Sequence, residues 1–109
     1  MELNEAKYWA EVDRLAREAL AAEHDGRDAE DALMEAVDAH RWVVYAHYAL
    51  QVMIFCENCD DDLVTSADLS AVWREGGLAG VASTIAAACL LADARDRLAQ
   101  LRERQAVDA

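Results

Sequence analysis

The sequence predicts an all-α fold, a compact bundle of about four to five helices forming a single domain over residues 1–109. Three observations carry that expectation. The chain has no proline and only 4 glycines, so few positions interrupt a helix. Alanine, the strongest helix former, is abundant throughout. Apolar residues recur at spacings of three and four, the period of an amphipathic helix. With 55% hydrophobic and 29% charged residues, the chain is apolar enough to fill a small core, which argues against disorder.

The first helix is expected from about Asn4 to His24. Asn4 is its N-cap, and Leu3 packs on Tyr8 as a hydrophobic staple. Tyr8, Val12, Leu15 and Ala19, flanked by Trp9, Ala16 and Leu20, form its apolar stripe. Asp25-Gly26 ends it, the glycine supplying a left-handed cap. A second helix starts at Asp28, with acids in its first turn complementing the helix dipole. Leu33, Ala36, Val37 and His40 make its inner face. Asp28, Asp31, Glu35 and Asp38 make an acidic outer stripe.

Trp42 to Cys56 is almost wholly apolar. Its β-branched and aromatic start also suits a strand, but a run this long without a turn residue favours a buried central helix. Whether it continues the second helix or follows a bend near Ala39-His40 stays open. Glu57-Asn58-Cys59-Asp60-Asp61-Asp62 reads as an exposed acidic loop. Thr65-Ser66-Ala67-Asp68 reads as a capping box opening a short helix to about Glu75, with Leu69, Val72 and Trp73 as its inward candidates. Gly76-Gly77 breaks that helix, and a last one runs from about Leu78 to Gln105. Its first half carries small residues (Gly80, Ala82, Ala86, Cys89) that permit close packing. In its second half Leu91, Leu98 and Leu101 stand among charges, a pattern that suggests a protruding end or a homodimer seam.

Charge is the most informative count. The chain has 22 acids against 10 bases, a formal net charge of −12. Residues 1–70 carry 17 acids and 5 bases, whereas residues 71–109 carry 5 of each. The excess concentrates in two windows, Glu23 to Asp38 and Glu57 to Asp68. Such a balance excludes direct nucleic-acid binding, which needs Lys and Arg against phosphate, and equally disfavours anionic membrane. The longest apolar run, Leu78 to Ala92, is short and alanine-rich for a membrane span. The N-terminus has no basic start or apolar stretch of a signal peptide, and 3 cysteines without a leader point to reduced thiols in a cytoplasmic protein.

Chemistry-bearing constellations are sparse. Cys56-x-x-Cys59 lacks the second ligand pair of a structural zinc site, and lies at a helix end opposite to that of a redox motif. Counting from Asp60, an EF-hand would need glycine at the sixth position and glutamate at the twelfth, where Thr65 and Ala71 stand. His40, His47 and Gln51 would share one face of a continuous helix, with Asp38 near as a carboxylate partner, yet no nucleophile motif accompanies them; amphipathic core residues are the simpler reading. No phosphate-binding glycine pattern is present. The expectation is a protein without enzymatic activity, cofactor or metal.

The acids remain. Carboxylates three and four residues apart on a helix lie about 5–6 Å apart, comparable with phosphate spacing along a nucleic-acid strand. A rigid row of this kind can enter a groove built for DNA or RNA. On that basis Asp28, Asp31, Glu35 and Asp38, with Glu57, Asp60, Asp61 and Asp62, are the candidate partner-binding residues.

The stretch Glu35-Ala36-Val37-Asp38-Ala39-His40-Arg41-Trp42-Val43-Val44-Tyr45, then Glu57-Asn58, Glu75-Gly76-Gly77-Leu78 and Ile85-Ala86, resembles a group of small phage proteins with an E-x-x-D-x-H-x-W-V-x-Y core. The resemblance spans roughly residues 30–92 and departs at Ala39, where glycine often precedes the histidine, and in the cysteines. It implies a phage origin. Small acidic phage proteins of this size recurrently inhibit host nucleic-acid defences, anti-CRISPR proteins among them. The expected partner is a host protein or ribonucleoprotein complex with a basic surface, in the bacterial cytoplasm. The rival expectation is a homodimeric phage accessory protein using the Leu91-Leu98-Leu101 seam.

Overall fold

The computed structural model describes residues 4–40, 46–58 and 69–108. The described residues are all-α. Helix α1 spans Glu5–His24, α2 Ala29–Asp38, α3 Ala46–Phe55 and α4 Leu69–Asp108. Helix α1 begins where the capping residue predicts, with the Asn4 side chain accepting from the Lys7 N–H at 2.9 Å. It ends in a Schellman turn: Gly26 has φ +87, its N–H donates to Glu23 O, and Arg27 N–H donates to Ala22 O. The cap of α2 is Asp28, which accepts from Asp31 N–H at 2.9 Å. Helix α2 stops at Asp38, and His40 lies in the connection beyond it. The second and third helices are therefore separate.

Helix α4 is interrupted at Gly77 (φ +63, ψ −153), a conformation open essentially to glycine alone. Residues 69–76 fold back from there, so that Val72 covers Gly80: a Cβ at Gly80 would lie 3.2 Å from the Val72 side chain. Residues 78–108 run on as one rod. At 1.5 Å per residue they measure about 46 Å, which accounts for the 49 Å long axis of the molecule.

The core forms where α1, α2 and α3 lie on this rod, with α1 also against α2. Tyr8, Val12, Leu15 and Ala19 of α1 meet Leu33 and Val37 of α2, Ala49 and Val52 of α3, and Ala86, Cys89, Leu90 and Ala94 of α4. Leu91, Leu98 and Leu101 are buried in the same cluster. This corrects the seam expectation: these leucines pack inside the chain, where α1 and α2 both lie against the rod. By length and composition α4 also suffices to cross a membrane, and 44% of its most apolar stretch is buried in this fold.

Two burial expectations are also corrected. Helix α3 buries Ala49 and Val52 but leaves Leu50 and Ile54 exposed, so it lies on the core rather than within it. Trp73 is exposed, while Val72 and Leu69 are only half-buried, Val72 lying over Gly80. The staple residue Leu3 and the capping box Thr65–Asp68 lie outside the described residues.

Candidate functional site

Helix α2 places Asp28, Asp31, Glu35 and Asp38 on exposed positions, as the three-and-four spacing requires. Their roles differ. Asp28 spends one carboxylate oxygen on the Asp31 N–H as the helix cap. Glu35 is paired with Arg27 at 2.9 Å. Asp31 and Asp38, together with Asp25 in the preceding turn, have no ion pair among the described residues. Glu30, one position from the stripe, reaches across to Arg95 of α4, the guanidinium Nε donating at 2.7 Å.

The arginines are consumed elsewhere. Arg14 joins Glu11 and Glu18, Arg17 and Arg97 both join Asp13, and Arg102 joins Glu23. Partial burial opposes ionisation of Asp13, but Arg17 and Arg97 outweigh it and hold the carboxyl below its ordinary range. Glu11 is held low in the same way, by Arg14 and His40 against partial burial. Most ion pairs thus lie along α1 and α4; on α2 and the turn before it Glu30 and Glu35 are paired, while Asp25, Asp31 and Asp38 have no ion pair among the described residues.

Glu57 does not join the stripe. It is exposed in the turn after α3 and borders a groove of about 640 Å³ between α1 and α4, with Trp9, Asp96 and Arg97. Asp60, Asp61 and Asp62 lie outside the described residues, as does Cys59. His40 does not share one continuous helix with Gln51, since residues 39 and 40 are not helical. His40 precedes α3, is buried, and its Nε2 lies 3.1 Å from a Glu11 carboxylate oxygen; the His47 side chain lies outside the described residues. The Cys56 thiol donates to Met53 O at 3.4 Å. Among the described residues no cluster of three His, Cys, Asp or Glu side chains is arranged to hold a metal ion.

One polar centre is invisible to periodicity. Asp93 of α4 is 2% exposed. One of its oxygens accepts from the Tyr8 hydroxyl and from Glu57 N–H at 3.3 Å; the other accepts from Asn58 N–H at 2.8 Å and Asn58 Nδ2 at 3.0 Å. Burial, then the hydrogen bond and charge of Asp93, push the Tyr8 phenol far above the ordinary tyrosine value. The Tyr8 ring stacks edge-on against Trp9, with centroids 5.0 Å apart, and also meets Phe55. This centre pins the turn after α3 to the bundle and has the character of architecture. In sequence its only signal is a lone aspartate in an otherwise apolar stretch of α4.

Fold and surface together define an all-α bundle among the described residues, with one acidic helix that is only partly neutralised. Comparison with protein-family models, with curated protein sequences and with solved structures found no match to this chain.

Proposed function

We propose that this protein is a phage-encoded, anti-CRISPR-like inhibitor that binds a basic nucleic-acid-binding surface of a host defence complex and blocks access of target DNA. The observation that carries the proposal is the placement of charge. Asp25, Asp31 and Asp38 stand exposed and without an ion pair among the described residues, while Arg27 and Arg95 are spent on Glu35 and Glu30, and Arg14, Arg17, Arg97 and Arg102 on acids of α1. A fixed acidic surface of this kind associates fast with a basic groove and weakens with salt. The phage-protein resemblance over residues 30–92 supports the same reading. The homodimer alternative loses its support, since the leucines of its seam are occupied within the chain.

The test uses purified guide-RNA-loaded DNA-binding complexes from bacterial hosts and their target duplexes, read by mobility shift. The wild-type chain is expected to stop DNA binding at stoichiometric amounts, less effectively as salt rises. A variant carrying Asp31→Lys, Glu35→Lys and Asp38→Lys, with Asp28→Ser to keep a capping oxygen, is expected to need at least about tenfold more protein, equivalent to about 1.4 kcal/mol. Undiminished inhibition by that variant, or no inhibition by the wild type, refutes the proposal.

A further inference from the structure

The acidic helix is not purely polar. Met34, 43% exposed, stands on α2 three residues after Asp31 and four before Asp38. Beside it a pocket of about 150 Å³ opens between α2 and α4, lined by Met34, Val37, Asp38, Ala87 and Leu91. Its form follows from the pairing of the two helices. They run antiparallel here, with Glu30 joined to Arg95 and, one turn on, Met34 and Leu91 on opposite walls. A further turn along, Ala87 is too small to fill the space beside Asp38. The Glu30–Arg95 pair lies toward one end of this seam, and the carboxylate of Asp38, which has no ion pair among the described residues, lies at the other.

We infer that this pocket is an anchor socket for a leucine-sized aliphatic side chain on a basic protein surface, with Asp31 and Asp38 receiving the flanking Lys or Arg residues. The inference rests on the proposed function and deepens it: the partner contact is with protein side chains and not only with a charged groove. The pocket volume suits one aliphatic side chain, and its walls are apolar apart from Asp38. The charge of the rim selects a partner that places cations around that side chain. Interfaces draw most of their energy from such a buried apolar anchor with a polar rim, whereas rim charges alone chiefly set rate and salt dependence. Imitation of phosphate spacing alone would need no socket.

Two synthetic heptapeptides provide the probe, each with three basic residues on either side of a central leucine or a central serine. They are titrated into the full chain carrying ¹³C-methyl methionine. The leucine peptide is expected to bind about tenfold tighter than the serine peptide, to shift the Met34 methyl resonance, and to lose that advantage in Ala87→Leu, which fills the socket. If Ala87→Leu fails to fold, Met34→Ser, at a half-exposed position, replaces it with the same expected loss. Equal binding of both peptides with no Met34 shift overturns the socket and leaves the acidic-surface reading standing. Absence of binding by either peptide overturns the socket and counts against the acidic surface as well.

Discussion

A carboxylate buried among neutral donors is costly unless every lone pair is used. Asp93 meets that condition through Tyr8, Glu57 and Asn58, drawn from two other parts of the chain. Asp93→Ala is expected to lower stability by about 2–4 kcal/mol, since the Tyr8 hydroxyl and two backbone N–H groups lose their acceptor; urea unfolding measures it. Tyr8 carries a pH signature. Because its folded-state pKa is raised, the native chain keeps a proton that the unfolded chain releases. The associated stability is complete below about pH 10 and falls above it by about 1.4 kcal/mol per pH unit. In Tyr8→Phe the alkaline loss should be shallower by one proton, although the variant starts out weaker at neutral pH. An unchanged slope between about pH 10 and pH 11 would show that Tyr8 ionises as freely in the bundle as in the unfolded chain.

The helices owe their ends to local chemistry and their partners to packing. Gly77 illustrates the first. At φ +63 and ψ −153 an L side chain is strained even with open space around it, so Gly77→Ala is expected to cost about 1–3 kcal/mol. A drop in melting temperature measures that cost. Leu98 illustrates the second. It is buried between the rod and α1, so Leu98→Ala is expected to cost about 2–5 kcal/mol in an unfolding titration. A change in oligomeric mass with stability intact would restore the seam on α4. Asn4, Asp28, Gly26 and the Gly77 break were legible in the sequence because caps and glycine conformations depend on neighbours within a few residues. The exposure of Leu50, Ile54 and Trp73 was not, because the apolar runs that contain them do not say which side meets the core.

Across the whole molecule, the excess of 12 negative charges falls within residues 1–70, whereas residues 71–109 are balanced. The ion pairs along α1 and α4 are mostly solvent-exposed and individually weak, that of Arg97 with Asp13 being partly buried. Repulsion within the Glu23–Asp38 window therefore outweighs what salt removes from them. Raising the ionic strength from about 0.01 M to about 0.15 M shortens the Debye length from about 30 Å to about 8 Å. The melting temperature is expected to rise by several degrees over that range; a fall would mean that the ion pairs dominate.

By itself the sequence determined the all-α class, the caps at Asn4, Gly26 and Asp28, the break at Gly77, the inner faces of α1 and α2, and the region where acid accumulates. Each of these rests on composition, periodicity or capping, which act over a turn or two of chain. Only the tertiary structure decided which acids stay unpaired, that Leu91, Leu98 and Leu101 belong to the core, and that His40 answers Glu11. It also decided that Asp93 gathers donors from 35 to 85 residues away. Those outcomes depend on which helices become neighbours, and a side chain's partner is set by the packing that brings distant turns together.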